Sequence, residues 1–434
     1  MPRYPGDWII VTLVGLPLLL ALVLADMPAN ARDALNLGGR LTGIAGLACM
    51  LISAALSVRV PGFDRFFGGL TRLWRIHHRL GLAAFVLILA HPVLMALARV
   101  PVSLPAAAEV LWPRATDWPM WAGWVGVLAL VIFLAPSFQF FGRPNYPRWK
   151  ALHFVAGLAL LAGLVHTLPL SRLLEAPWGM VVWGSLGLLG LAVFTWRATI
   201  ARPLQRKAYR VIAREPLAKD VVEISVEPED GSTLDFDPGQ FIYFTPRDPE
   251  LSAGYGEEHP YTLSAAPGEG RLRFAVKNLG DASAALQNIR TGTPCQVDGP
   301  YGYFFPAHRR GDPQLWIGGG IGIAPFISAA RAMAAGMPWG PVHLIYCAND
   351  RNRAYFLDEL KDCAGKTDKL QVIPHFFTEE GALTRDFVRS HCGPFQDHRV
   401  IACGPPALND IARQIARAEG VPKTHFYCEE FTFL

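Results

Sequence analysis

The chain of 434 residues is 51% hydrophobic and only 18% charged, with a formal net charge of +4. Soluble proteins average about 25% charged residues, so the composition excludes an ordinary soluble protein and predicts that part of the chain lies in membrane lipid. The small net charge gives no indication of a nucleic-acid partner. Charged residues are sparse before about residue 200 and have a globular frequency after it, which predicts a membrane domain followed by soluble domains.

The cysteines argue against two classes of protein. Seven are present, an odd number, and none forms a CxxC pair. This pattern disfavours both a disulfide framework and an iron–sulfur domain. A reducing, cytosolic location for the soluble part fits the same pattern.

Six apolar stretches approach the ~20 residues that a membrane-spanning helix needs. They are residues 8–25, 38–57, 78–98, 120–138, 150–169 and 179–197. The first stretch, with Arg3 before it and Ala29-Asn30-Ala31 after it, also has the features of a cleavable secretory signal. That alternative leaves the orientation of the other five stretches unchanged.

Basic residues concentrate in alternate connections, which predicts that both termini lie in the cytoplasm. They are Arg59, Arg65, Arg72 and Arg75 after the second stretch, Arg143, Arg148 and Lys150 after the fourth, and Arg197, Arg202, Arg206, Lys207 and Arg210 after the sixth. The third and fifth stretches then both run from the inside to the outside.

Paired histidines lie in or directly before these two stretches, His77 with His91 and His153 with His166. An unpaired imidazole in hydrocarbon is costly, so such residues usually have a function. Fourteen residues return an α-helix to nearly the same face after about 21 Å. The orientation places His77 and His153 on the cytoplasmic side and the other two on the outer side. Each pair can supply both axial ligands of a haem.

Two alternatives remain at this point. His78 lies thirteen residues before His91, but that step turns an ideal helix about 140° away from the starting face, so His77 is preferred. The fifth stretch has a thirteen-residue spacing and therefore needs a local bulge or kink, at Gly157 or Gly163. Each histidine taken alone also fits a core residue bonded to a carbonyl group; their pairing at matching depths favours haem.

Residues 208–306 consist of short β-rich segments broken by glycine, proline and aspartate, typical of a small antiparallel barrel. One segment offers an aromatic wall and hydroxyl groups for a flavin ring. It contains His259, Pro260, Tyr261, Thr262, Leu263 and Ser264. Further on, Lys277 and the start of a helix at Ser283 offer a seat for a flavin pyrophosphate.

From about residue 312, strands alternate with helical stretches, which predicts an open parallel α/β domain. A glycine cluster between its first strand and first helix suits a dinucleotide pyrophosphate, because glycines let the backbone approach the phosphates. The expected contacts are Gly318, Gly319, Gly320 and Gly322, with Pro325 in the first helical turn.

Cys403, Gly404 and Pro405 end a later strand of the same sheet, where ligands of open α/β sheets collect. Cys403 either lines a nicotinamide site or is an inert small residue. Arg351 and Arg353 follow the second strand, where a 2′-phosphate would lie, and favour NADPH over NADH; the alternative is that they are solvated loop charges.

The order of these motifs resembles the ferric reductase and NADPH oxidase superfamily over nearly the whole chain. The motifs are the four membrane histidines, HPYTLS (259–264), GGGIGIAP (318–325), CGPP (403–406) and an aromatic C-terminus. The resemblance implies two b-type haems on His77, His91, His153 and His166, FAD in a barrel of ferredoxin-reductase type, and NAD(P)H in the last domain. It also implies an aromatic ring stacked on the flavin, for which Phe431 is the better match and Phe433 the alternative.

We therefore predict a six-helix transmembrane di-haem domain at 1–200, an FAD-binding antiparallel β-barrel at 201–308 and an NAD(P)H-binding α/β domain at 309–434. Similarity to the compact bacterial members of the superfamily implies the inner membrane, with both soluble domains cytoplasmic. The expected function is electron transfer from NAD(P)H to an outside acceptor, oxygen or a ferric chelate. The alternatives are an electron conduit for a partner protein and a flavin reductase on a non-haem membrane anchor.

Overall fold

The computed structural model describes residues 4–60, 62–137, 152–170, 177–196, 199 and 205–429. The chain divides into two compact units, residues 1–68 with 72–202 and residues 69–71 with 203–434.

The described part of the first unit is helical. Its α-helices are α1 (Pro5–Val23), α2 (Ala31–Leu56), α3 (Leu70–Arg99), α4 (Leu104–Leu111), α5 (Trp118–Leu134), α6 (Ala156–Leu170) and α7 (Pro177–Thr195). Three of them, α1, α2 and α3, are long and apolar enough to cross a membrane; the apolar runs of α5, α6 and α7 are 10–17 residues long. Six spans therefore remain a prediction, and parts of the fourth, fifth and sixth lie outside the described residues.

Helix α2 lies at the centre of this unit. Asn30 caps its N-terminus by accepting a hydrogen bond from the amide of Asp33. In its most apolar window 56% of the residues are buried, against 17% in α1 and 11% in α3. Leu47 and Leu51 of α2 pack in one cluster with Leu130 of α5 and Leu160 of α6. Side chains of α2 can therefore contact side chains of the helices that pack around it.

The chain enters α6 through an irregular turn. Within residues 152–158, the amides of Val155, Gly157 and Leu158 donate to the carbonyl groups of Leu152, Phe154 and Val155. Hydrogen bonds spaced three residues apart overwind a helix locally. These three donating amides lie between His153 and His166 in the chain, and the amide of Gly157 is one of them, whereas Gly163 lies further along α6.

The second unit begins with a curled antiparallel sheet. Its strands are β1 (Arg206–Ala218), β2 (Val221–Pro228), β3 (Phe241–Pro246), β4 (His259–Thr262), β5 (Leu272–Lys277) and β6 (Pro294–Tyr301), in the order β4-β3-β6-β1-β2-β5. A bridge between Leu263 and Phe274 joins the two edges and closes the sheet into a barrel. A short helix, α8 (Asp281–Leu286), follows β5.

A parallel sheet follows the barrel. Its strands are β7 (Gln314–Gly319), β8 (Val342–Ala348), β9 (Leu370–Phe376), β10 (Arg399–Cys403) and β11 (Phe426–Glu429), in the order β11-β10-β7-β8-β9. The helices between them are α9 (Ala324–Ala334), α10 (Leu357–Ala364), α11 (Phe377–Glu380), α12 (Arg385–Cys392) and α13 (Pro406–Ala418). Strand β7 is buried along its whole length, as expected for the centre of an α/β sheet.

A buried ionic cluster joins the barrel to the α/β domain. Arg331 of α9 contacts the carboxylate of Glu223 of β2 at 3.1 Å and that of Glu359 at 2.7 Å, and it donates to the carbonyl oxygen of Ser264 at 2.7 Å. Arg273 binds the other oxygen of Glu223 at 2.6 Å. Burial alone would raise the pKa of Glu223, but the two guanidinium groups outweigh it and lower that pKa.

Candidate functional site

The four membrane histidines meet in two pairs. The ring centres of His77 and His153 lie 6.2 Å apart, and those of His91 and His166 lie 6.1 Å apart. His78, the alternative to His77, is exposed. Two in-line bonds of about 2 Å from a metal to imidazole nitrogens leave the ring centres about 6 Å apart. Both pairs therefore fit a metal held between two axial imidazoles.

Hydrogen bonds orient three of these rings. The Nδ1 atom of His77 lies 2.7 Å from the carbonyl oxygen of Ser53, that of His91 lies 2.6 Å from Gly39 O, and that of His166 lies 2.8 Å from Pro119 O. A carbonyl oxygen only accepts, so each Nδ1 carries the proton and each Nε2 carries a lone pair. This tautomer is the one that binds a metal through Nε2.

Glycines make room for the outer pair. A Cβ atom on Gly43 would lie 2.8 Å from Nδ1 of His91, and one on Gly123 would lie 2.7 Å from Nδ1 of His166. In both helices the glycine follows the accepting carbonyl by four residues. One local arrangement thus serves both rings.

The donor set favours a porphyrin over a bare ion. Within the described residues, no group of three or more His, Cys, Asp or Glu side chains is placed to hold a metal. An ion between two imidazoles would need its remaining ligands from another source, and a porphyrin supplies four nitrogens. The residues present therefore fit a haem in each pair.

In the barrel, the predicted flavin segment is only partly a strand. His259, Pro260, Tyr261 and Thr262 form β4 and are half-buried. The ring of Tyr261 stacks on Phe274 with centres 5.2 Å apart, and its burial raises the pKa of its phenol. Nε2 of His259 lies 3.2 Å from the carboxylate of Glu257.

The expectation that the Ser264 hydroxyl faces a flavin needs correction. The side chain is fully buried, and its hydroxyl donates to the carboxylate of Glu223 at 2.5 Å. Strand β4 ends at Thr262, so the alternation that placed Ser264 beside Thr262 does not continue that far.

The predicted pyrophosphate seat is engaged in its own loop. Ser283 Oγ accepts from the amide of Leu279 at 2.8 Å and donates to Gly280 O at 3.0 Å. The amide of Ala282 is bonded to the carboxylate of Asp281. Lys277 ends β5 on the same approach to α8. A pyrophosphate bound here would exchange these contacts for its own oxygens.

The nucleotide residues predicted from the sequence meet at one sheet edge. Gly318 of β7 lies directly beside Cys403 of β10, and a Cβ atom on Gly322 would lie 2.5 Å from Cys403 O. Gly319 and Gly320 follow on β7 and its turn, and Pro325 lies in the first turn of α9. Gly404 and Pro405 continue the chain beyond β10.

Cys403 itself is fully buried. Burial, with Glu429 nearby, raises the pKa of its thiol well above the ordinary value, so the thiol is protonated at neutral pH. Arg351 and Arg353 form a short helical turn after β8 at the same sheet edge. Arg353 is bound to Asp220 at 2.6 Å, and the guanidinium of Arg351 lies 5.9 Å from the ring centre of Phe376. Phe431, the predicted flavin-stacking ring, lies outside the described residues.

Comparison with known proteins matches each part of the chain to a family model. A ferric reductase-like transmembrane component matches residues 42–164, an FAD-binding domain matches 206–304 and an oxidoreductase NAD-binding domain matches 316–414. The chain belongs to the ferric reductase and NADPH oxidase superfamily. Like other members of this superfamily, it is an NAD(P)H-dependent oxidoreductase.

The individual relatives of this superfamily member match about half of the chain and are named as reductase components. The reductase component of propane 2-monooxygenase from Mycolicibacterium goodii is 30% identical over 247 residues, 53% of this chain and 69% of that protein. The ferredoxin reductase component of 3-ketosteroid-9-alpha-monooxygenase from Mycolicibacterium smegmatis is 30% identical over 51% of this chain and 68% of that protein. A flavohemoglobin structure from Malassezia yamatoensis, 17% identical with a TM-score of 0.50, covers 93% of this chain and 99% of that one, a likeness of fold alone.

Sequence reasoning missed the groups that surround the histidines. Ser53, Gly43 and Gly123 contact the rings from helices that carry none of the four. The available signal was the presence of glycines in both helices, and glycines are common in apolar helices, so it was not specific. Glu223 and Arg331 were missed because residues 108 apart in the chain give no local pattern.

Proposed function

We propose that this protein carries electrons from cytosolic NAD(P)H through FAD and two b-type haems to an acceptor outside the bacterial inner membrane. The observation that carries the proposal is the meeting of four imidazoles in two pairs, with ring centres 6.2 and 6.1 Å apart. Bound FAD would supply the conversion of a hydride into single electrons, and two haems would supply one-electron carriers.

The membrane residues hold and space the two proposed haem sites. His77 with His153 would hold the inner haem, and His91 with His166 the outer one. His77 and His91 lie on one continuous helix, α3. Fourteen residues at ~1.5 Å each put the two sites about 21 Å apart along that axis, within a hydrocarbon core of ~30 Å.

The soluble residues bind and orient the nucleotides. In the proposal, His259, Pro260, Tyr261 and Thr262 flank the flavin, and the glycine turn at 318–322 receives the pyrophosphate of NAD(P)H. Both Ser264 and Cys403 are fully buried; in the proposal Ser264 orients Glu223 through its hydroxyl, and Cys403 packs beneath the nicotinamide site. NADPH is preferred because Arg351 and Arg353 lie at the sheet edge where a 2′-phosphate would sit, with NADH as the alternative. The domain boundaries at residues 200 and 308 and the flavin-stacking ring, Phe431 or Phe433, stay predictions.

A reduced-minus-oxidised spectrum of the purified protein, with its haem-to-protein ratio, tests the haem sites. We expect two b-type haems per chain. His77→Ala and His153→Ala should each abolish the same haem, and His91→Ala and His166→Ala the other. His78→Ala is the matched control and should keep both. A ratio of zero in the unaltered protein would refute the proposal and leave a flavin reductase on a membrane anchor.

The acceptor is tested separately. With NADPH, dye reduction that superoxide dismutase abolishes indicates transfer to oxygen, and insensitive reduction of a ferric chelate indicates a ferric reductase. The names of the relatives, reductase components of multi-component enzymes, favour one further candidate, an electron conduit for a partner protein. Reduction of the bound cofactors without turnover of either small acceptor would support that candidate.

A further inference from the structure

Two hydroxyl groups of α2 lie close to the proposed haem ligands, one in contact with His77 and the other bonded to the carbonyl oxygen that accepts from His91. Among the described residues of α1 to α7, Ser53 is the one buried polar side chain, 6% exposed. Its Oγ atom lies 3.0 Å from Nδ1 of His77 and donates to the main-chain oxygen of His77 at 3.1 Å. Thr42 Oγ1 donates to the carbonyl oxygen of Gly39 at 2.8 Å, the same oxygen that accepts from His91.

The direction of the Ser53 hydroxyl proton determines whether this hydroxyl donates to the His77 ring or accepts from it. A hydroxyl has one proton, and here it points to the carbonyl of His77. The group therefore presents a lone pair to Nδ1–H, which it shares with the carbonyl oxygen of Ser53. Two acceptors on one N–H make an imidazole more basic and a stronger donor to a metal.

The Thr42 hydroxyl acts in the opposite sense on the outer pair. Gly39 O, which lies inside α2, receives two side-chain donors, the Thr42 hydroxyl and Nδ1–H of His91. The hydroxyl draws on the lone pairs of that oxygen, so the oxygen accepts less strongly from His91. The ring of His91 is then a weaker electron donor than it would be if Thr42 made no bond to this oxygen.

We propose that Ser53 and Thr42 are positioning residues that set the two haem sites apart in reduction potential, with the inner site lower. A more basic axial imidazole stabilises the ferric state and lowers the potential, and a less basic one raises it. The two hydroxyls therefore act together and favour electron flow from the cytoplasmic side to the outer side. The proposal rests on the proposed haem ligation.

Potentiometric titration of the purified, fully cofactor-loaded protein, followed by haem absorbance, tests this inference. Ser53→Ala should shift the lower midpoint potential upward, and Thr42→Val should shift the higher one downward, so that each variant narrows the gap. Thr167→Val is the matched control, because Thr167 donates to Gly163 O in its own helix, an oxygen other than the three that accept from the histidines. Its two midpoints should equal those of the unaltered protein.

A second readout separates tuning from folding. The electron paramagnetic resonance g values of the ferric low-spin signal should change for one site only in Ser53→Ala, and Ser53→Thr should restore them. Unchanged midpoints in both Ser53→Ala and Thr42→Val, with two haems bound, would overturn the inference and leave the haem sites intact. If Ser53→Ala loses haem, retention by Ser53→Thr supports positioning by the hydroxyl; loss in both, with Thr42→Val unchanged, refutes it. Absence of haem from the unaltered protein is the separate failure of the proposed function.

Discussion

The rings of His91 and His166 each press against a glycine of a neighbouring helix. Gly43 and Gly123 leave no space for a side chain, since a Cβ atom would lie under 3 Å from the imidazole. Real Cβ atoms do not approach other atoms so closely, and a half-buried ring that is hydrogen-bonded to the same neighbouring helix has little freedom to move. At the scale of single residues, the lack of a side chain at these two glycines is therefore what allows His91 and His166 to form the outer pair.

Gly43→Ala should therefore displace His91 and reduce the haem content from two per chain to about one. Gly184→Ala is the matched control, because a Cβ atom there meets no atom within 4 Å. Haem-to-protein ratios by absorbance measure both variants. Two haems with an unaltered spectrum in Gly43→Ala would contradict the packing described for the outer pair.

At the scale of elements, a buried ion pair joins β2 and α9. Glu223 and Arg331 have side chains only 2% and 6% exposed, and neither has a counter-charge of its own element. Removing one member of such a pair leaves a buried charge without its partner. The stability of the barrel is thereby tied to that of the α/β domain.

Glu223→Gln should lower the free energy of unfolding by about 3 kcal/mol, the lower end for a broken buried pair because Glu359 still contacts Arg331. Glu229→Gln breaks the exposed pair with Arg210 and should cost less than about 1 kcal/mol. Denaturant unfolding followed by tryptophan fluorescence compares the two variants. Equal losses would mean that burial does not strengthen the cluster.

Two histidines, His343 of β8 and His398 just before β10, give the α/β domain a dependence on pH. His343 and His398 have ring centres 6.2 Å apart, and burial, with their mutual repulsion at His398, lowers the pKa of both. The unfolded chain therefore binds protons first as the pH falls below about 6.5, and folding stability is lost from there downward.

The melting temperature should consequently fall between pH 7 and pH 5.5, and less steeply in the double variant His343→Gln with His398→Gln. Thermal unfolding of the full chain followed by circular dichroism measures both slopes. The expected difference disappears above pH 7, where both histidines are neutral in either state. Parallel slopes at acidic pH would assign the acid sensitivity to other groups.

At the scale of the whole molecule, the sequence predicts the architecture better than the surroundings of the site. Local elements, such as the strand, glycine turn and helix of 314–334, were predictable because the pattern of neighbouring residues determines each of them. The pairing of the histidines followed from spacing and loop charge. Ser53 lies 24 residues from His77, and its contact depends on how α2 and α3 approach each other, which no local pattern encodes.

The proposed orientation gives a prediction for the intact membrane. With both soluble domains in the cytoplasm, added NADPH should be oxidised by inverted membrane vesicles and not by right-side-out vesicles until detergent opens them. A membrane-impermeant ferric chelate should be reduced only when it has access to the outer face of the membrane. Equal rates in sealed vesicles of both kinds would refute the orientation.

The shared cluster of Glu223, Arg331, Arg273 and Glu359 also limits how this reductase can be recombined with others. A chimera that keeps this barrel but takes its last domain from a relative would leave Glu223 with Arg273 as its one remaining partner in the cluster, unless the new helix brings a guanidinium to the place of Arg331. Grafting is therefore expected to succeed for the two domains as one cassette, and an exchange of specificity for the nicotinamide donor should be attempted within the loops of 351–353 before whole domains are replaced.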